Sequence, residues 1–312
     1  MVVGFVAAPA AGRVAAAPTA GDSVASGPSW IPVIVGGLAA AVFAGSGWWR
    51  IRRVPVRPWR FGPGTGLATF ALAVLVGAIA ASVAEAVMGA EPDPSGPVSM
   101  LLPIMLVAWV AQLATAACLP WVRGFVEPDH HSGDGRMPRR GSVCPDRRRP
   151  RWAAGVLGVV GLALFWPMTL AVAMIAGLLW QSLTGHAPSE IAHTVLAQLA
   201  AEGPTAATIA TSAALVVLPA IVEEVLYRGL LQESFRRAKL FSSGNPWHSI
   251  VLASLIFTAM HVGAVEPHAL AGLFVLSLGF GWAYARTGRL TASITMHMAF
   301  NAGNILLAVF WV

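Results

Sequence analysis

Charge is scarce in this sequence. Asp, Glu, Lys and Arg make up 11% of its 312 residues, where a soluble domain carries about 25%. Too few ionic groups remain to cover an ordinary water-facing surface. Cysteine is nearly absent as well. Cys118 lies in an apolar run and Cys144 in an Arg-rich stretch, and the two make no disulfide framework. There is no H-E-x-x-H metalloprotease motif. No basic cluster precedes an apolar core within residues 1–28, which argues against an ordinary cleaved signal peptide. The apolar runs show no convincing internal repeat, which argues against a transporter built from two related halves. Lysine occurs once, at Lys239; the other basic residues are all arginine, beside abundant alanine and glycine, a pattern read as GC-rich coding.

Apolar length takes the place of charge. The sequence is 56% hydrophobic, with a mean hydropathy of +0.70. It holds several runs near or above the ~20 residues a membrane-crossing helix needs. The runs predict spans over about 30–49, 65–88, 100–122, 153–180, 205–235, 247–263, 269–285 and 291–311. The expected fold is all-α, a polytopic membrane helix bundle of about eight transmembrane helices. Residues 1–28, rich in Ala, Gly, Pro and Ser, read as a disordered tail, 29–122 as N-terminal membrane helices, and 123–152 as an Arg-rich cytoplasmic loop. Residues 153–312 read as the catalytic membrane domain. Trp166-Pro167 predicts a kink in the fourth span. Ser189 with Glu190 predicts the start of a short interfacial helix in the mixed stretch 181–204. The sixth span is short enough to cross only in part.

The basic residues fix an orientation. Counting alternating spans, the connections at 50–60, 123–151, 236–239 and 286–289 share one side and hold eighteen of the twenty basic residues. Those at 89–99, 181–204 and 262–268 hold none. Cytoplasmic loops carry the excess of Lys and Arg, so the basic loops are expected in the cytoplasm of a cell-membrane protein, with both termini outside. Nucleic acid, which a net charge of +6 taken alone would suggest, is not an expected partner, because the charge sits between membrane runs.

A few ionisable groups lie inside the apolar runs, where each costs about 2.5–3.5 kcal/mol on insertion scales. The fifth span contains Glu223-Glu224-Val-Leu-Tyr-Arg228. Glu224 and Arg228, at i and i+4, can pair along one helical face, and Glu223 lies ~100° round the helix. The sixth span contains Phe257-x-x-x-His261, with Phe257 read as a packing residue, and the eighth contains His297-x-x-x-Asn301. Counting from the loop ends places Glu223, His261 and Asn301 at a similar depth, about 18–20 Å in. Taken singly, His261 and Asn301 fit interhelical hydrogen bonding, Glu224 with Arg228 fits a structural ion pair, and Glu85 reads as interfacial. Six such groups within about 80 residues are more than a structural network needs. Peptide hydrolysis would use them: a desolvated carboxylate is a usable base for water, and positioned donors stabilise a tetrahedral oxyanion. In that reading Glu223 and His261 activate the water, His297 and Asn301 face the oxyanion, and Glu224 with Arg228 hold the geometry.

The motifs Glu223-Glu224-x-x-x-Arg228, Phe257-x-x-x-His261 and His297-x-x-x-Asn301, in that order, resemble the CPBP family. These are the CAAX prenyl proteases and bacteriocin-processing enzymes, also called the ABI family of intramembrane glutamic endopeptidases. Arg228-Gly229-Leu230 and the segment from Gly281-Trp282 to Thr287-Gly288 are similar to that family too, so the likeness covers about 205–305. It implies the same catalytic assignment for Glu223, Glu224, Arg228, His261, His297 and Asn301, and an eight-helix bundle opening to the cytoplasm. Expected partners are membrane lipid and a peptide or protein substrate, with lipid modification of that substrate left open. No cofactor is expected. A zinc protease is the nearest rival, since His and Glu ligate zinc readily. A non-catalytic scaffold of the same fold and a proton-coupled transporter are the others. His130-His131 with Cys144 read as a solvated loop in preference to a metal site.

Overall fold

The computed structural model describes residues 29–51, 61–88, 98–118, 151–189, 191–238 and 245–310. The expected tail at 1–28, nearly all of the Arg-rich loop with His130, His131 and Cys144, most of the connection at 89–99, Glu190 and Lys239 lie outside them. The described residues form nine helices and no strand: α1 (Ile31–Gly45), α2 (Pro63–Met88), α3 (Val98–Ala117), α4 (Arg151–Thr184), α5 (Thr194–Glu202), α6 (Ala206–Arg237), α7 (Trp247–Ala259), α8 (Pro267–Thr287) and α9 (Leu290–Phe310). This is the expected all-α bundle of a multi-pass membrane protein.

Five helices, α2, α3, α4, α6 and α8, are long and apolar enough to cross a membrane. With 15 and 13 residues, α1 and α7 reach only about 22 and 20 Å of a ~30 Å hydrocarbon layer. In α9, 21 residues long, Ser293, His297, Asn301 and Asn304 dilute the apolar character. The large exposed side chains of α2, among them Leu72, Leu75, Ile79 and Val83, are apolar, as a lipid-facing surface requires; Ser82 and Glu85 are exposed nearer its C-terminal end.

Several boundaries depart from the sequence expectation. α1 stops at Gly45, where Ser46 Oγ donates back to Phe43 O at 3.2 Å, and the chain turns at Gly47 with φ of 69°. α3 ends at Ala117, short of residue 122. Pro167 sits inside α4 without ending it. The short helix α5 starts at Thr194, later than Ser189 suggested. His193 caps it, its Nδ1 accepting from Val195 N at 3.1 Å. Ser189 instead donates to Glu266 Oε1 at 2.6 Å. α7 ends at Ala259, so His261 occupies the turn beyond the helix. There the His261 carbonyl accepts from both Ala264 N and Val265 N at 3.1 Å, and Gly263 takes φ of 90°.

The long α4 lies at the centre, packed on α1, α8 and α9. Two glycines permit its close approach to α9. A Cβ at Gly158 would run into the Ala292 carbonyl oxygen, and one at Gly303 into the Trp166 ring. Against the basic side, Trp282 of α8 is fully buried, edge-on to Phe43 at 5.6 Å, and its Nε1 donates to Trp48 O at 2.9 Å. α9 in turn packs on both α6 and α8, and the buried polar groups lie between these three helices.

Candidate active site

Among the described residues, the buried carboxylates and the buried arginine all come from α6: Glu223, Glu224, Arg228 and Glu233. Thr205 and Thr208 start that helix with a reciprocal capping box, and it is α-helical to Glu223. From Glu224 to Gln232 it is π-helical, and it closes with an α-helical turn over Glu233–Arg237. π segments are rare and occur often at functional sites. Eight of these nine residues are buried, so their polar groups must find partners inside the protein.

Glu224 and Arg228 pair as expected. Arg228 Nη1 donates to Glu224 Oε1 at 3.0 Å, both side chains essentially inaccessible. The guanidinium extends further than local spacing could suggest. Its Nη2 donates to Ser277 Oγ at 2.7 Å and Ser277 O at 3.0 Å, both on α8. Its Cζ lies over the rings of Phe257 and Phe280, 4.8 and 5.2 Å from their centroids. Two aromatic faces and a backbone carbonyl thus stabilise a charge that lipid would not.

His297 of α9 joins the same group. Its Nδ1 is 3.0 Å from Glu224 Oε1. A carboxylate oxygen accepts, so Nδ1 carries the proton. Phe280 stacks on the imidazole at 4.6 Å and 16°, fixing the ring plane. The other nitrogen, Nε2, lies 4.0 Å from Glu223 Oε2, too far for a hydrogen bond. Glu223 is 3% exposed, and neither of its carboxylate oxygens has a hydrogen-bond partner. Glu223 and Glu224 therefore divide: one is locked into a network and the other is left open.

His261 is fully buried. Its Nδ1 is 2.7 Å from Phe257 O; a carbonyl only accepts, so this nitrogen is protonated and Nε2 carries the lone pair. The ring packs on Phe257 at 4.5 Å, and Phe257 in turn meets His297 at 6.4 Å and Tyr227 at 5.0 Å. Phe257, expected only to pack, thus separates and orients the two histidines. No ion pair joins His261 to Glu223; the histidine nitrogen nearest that carboxylate is His297 Nε2. Asn301, one turn beyond His297, is 3% exposed and donates from Nδ2 to Leu215 O at 3.4 Å. The opposite amide assignment would set two acceptors together, so the donor face is fixed.

Three helices and one turn therefore bring Glu223, Glu224, Arg228 and His297 into one connected cluster, with His261 and Asn301 at its edges. Ser277 and Phe280 complete it and were not anticipated. Ser277 is 49 residues from Arg228, and nothing in its neighbourhood distinguishes it from other small residues of α8. The unpartnered side-chain atoms of the six candidate residues are Glu223 Oε1 and Oε2, Glu224 Oε2, Arg228 Nε, His261 Nε2, His297 Nε2 and Asn301 Oδ1. An acid–base group, two imidazole nitrogens and an amide can jointly handle a proton and a developing oxyanion. Among the described residues no three His, Cys, Asp or Glu side chains are arranged to hold a metal ion.

Residues 205–303 match the family model described as Type II CAAX prenyl endopeptidase Rce1-like, consistent with the resemblance read from the motifs. The match spans α6 to α9 and contains all six candidate residues. No curated relative and no solved structure matches the chain significantly.

Proposed function

We propose that this chain, whose residues 205–303 carry the features of a CAAX-type endopeptidase, hydrolyses peptide bonds of a membrane-proximal peptide or protein, with Glu223 as the base. The observation that carries the reading is the state of Glu223: a carboxylate buried within α6, a helix long and apolar enough to cross a membrane, free of hydrogen bonds, and 4.0 Å from the open nitrogen of an oriented histidine. A structural carboxylate in such a place would be paired, as Glu224 is.

In this mechanism Glu223 removes a proton from water as its oxygen attacks the scissile carbonyl carbon. His261 Nε2, an acceptor by its tautomer, takes the second hydrogen bond from the water and sets its direction. Charge develops on the carbonyl oxygen. Asn301 can present its second Nδ2–H there, and His297 can donate from Nε2 when it is imidazolium. With His297 in that form, Glu223, Glu224, Arg228 and His297 carry two negative and two positive charges, and the buried cluster is neutral. On collapse the C–N bond breaks and the departing nitrogen takes the proton held by Glu223. Glu224 and Arg228 act by orienting His297.

The basic loops support access from the cytoplasmic side. At the opposite end, the turn carrying His261 is tied to the segment before α5, Glu266 N donating to Ala192 O at 2.9 Å. A lipid-modified peptide is one candidate class of substrate.

The test is the isosteric substitution Glu223→Gln. Removing a general base lowers the rate about 10²–10⁴-fold, while the shape of the residue is kept. Peptide inventories of cells carrying wild type and Glu223→Gln, compared by mass spectrometry, should differ in a defined set of cleavage products. Identical inventories from equally abundant, equally stable proteins would overturn the endopeptidase reading and leave a scaffold or transporter.

A further inference from the structure

Two segments close the end of the bundle away from the basic loops. One follows α4 and runs to α5; the other is the turn between α7 and α8. His193 and Val265 form an isolated antiparallel bridge, and Glu266 N donates to Ala192 O at 2.9 Å. Ser189 Oγ donates to the Glu266 carboxylate at 2.6 Å. The second segment is the one that presents His261, whose carbonyl accepts from Val265 N. His193 is therefore held beside the His261 turn. Both residues are 0% exposed.

The hydrogen bonds define the tautomers of both rings. His193 Nδ1 accepts from Val195 N at 3.1 Å, and an accepting nitrogen bears no proton. The single N–H of neutral His193 is thus at Nε2. His261 has the opposite arrangement, Nδ1–H donating to Phe257 O and Nε2 carrying the lone pair. Two buried imidazoles on paired segments present a donor and an acceptor of complementary kind. Capping α5 does not call for this. Ser, Thr, Asp and Asn are the preferred N-caps, and each would supply an acceptor without placing a second ring nitrogen in the interior. His186, seven residues earlier, is exposed and shares none of these features.

We propose that His193 is a further catalytic residue of this site, its Nε2–H donating to the oxygen of the attacking water. That water gives its two hydrogens to Glu223 and His261 Nε2. A third bond, accepted from His193, leaves one lone pair to face the carbonyl carbon. The inference rests on the endopeptidase reading.

Two substitutions separate this role from capping. His193→Asn keeps an acceptor for Val195 N and removes the Nε2 donor. His193→Gln keeps a donor near the Nε2 position and weakens the cap. The readouts are the initial rate at which Glu223-dependent cleavage products accumulate in cells, by mass spectrometry, and the melting temperature of the purified proteins. The expected result is a tenfold or greater loss of rate for His193→Asn at unchanged melting temperature, with His193→Gln cleaving within a few-fold of wild type but melting lower. Wild-type rate in His193→Asn, with only a stability loss in His193→Gln, overturns the catalytic role and leaves a cap. If His193→Asn and His193→Gln lose rate equally, the donor is not what matters and the proposal also fails. Products that persist unchanged in Glu223→Gln sink the endopeptidase reading itself, a separate outcome seen in the same experiment.

Discussion

Replacing Arg228 by methionine tests whether the buried network is held by charge. Arg228 makes three hydrogen bonds of 2.7–3.0 Å and its Cζ lies over two aromatic rings. Hydrogen bonds to charged groups contribute about 1.5–3 kcal/mol each. Removing one partner of a buried ion pair costs about 3–5 kcal/mol, because the other charge is left without compensation. His297 stays 3.0 Å from Glu224 and offsets part of that, so Arg228→Met should cost about 3 kcal/mol, near the low end of the range. For a chain of this size each kcal/mol shifts the melting temperature by about 2–4 °C, giving a drop of roughly 10 °C. The double variant Glu224→Gln/Arg228→Met removes both charges and should regain about 1–3 kcal/mol of the loss. It should melt several degrees above Arg228→Met despite carrying one more substitution. Unfolding in detergent, followed through the twelve tryptophans at one fixed scan rate because such unfolding is often irreversible, measures this. A double variant that melts at or below Arg228→Met would refute the reasoning, since the cost would then lie in lost packing and not in a stranded carboxylate.

Asn301→Ala should lower the cleavage rate about 10²–10³-fold while substrate binding is kept, as for loss of one oxyanion donor; a change confined to KM would remove Asn301 from the oxyanion role. Gly158→Val should destabilise by about 1–3 kcal/mol through overpacking against the α9 backbone at Ala292, and melting unchanged from wild type would mean α4 and α9 are not in close contact. Proteolysis should survive strong chelation, and purified active protein should hold no stoichiometric metal by elemental analysis; activity lost to a chelator and restored by zinc would favour the zinc rival.

Some of the site was readable in one dimension because its geometry is local. Glu224 and Arg228 are four residues apart, and a helical turn brings them together whatever the rest of the chain does, even through the π-helical stretch. Membrane passage was equally plain, because hydrocarbon demands apolar length and that demand is written residue by residue. The π-helical hydrogen bonding of Glu224–Gln232 left no such signal, since the residues of that stretch also suit an ordinary helix. The end of α7 before His261 was hidden for a similar reason: the apolar run continues past Ala259, and only the turn around Gly263 stops the helix.

By itself the sequence determined a charge-poor, multi-span helical chain and the short list of polar groups too costly to lie in lipid without purpose. Tertiary structure decided which of two adjacent glutamates is bound and which is open, because that choice depends on His297, 73 residues away from Glu224. It likewise decided the tautomers of His193 and His261, set by a backbone N–H in one case and a carbonyl in the other. Composition and periodicity report the cost of burying a group. Only the packed arrangement of α6, α8, α9 and the His261 turn determines what meets that group once it is buried.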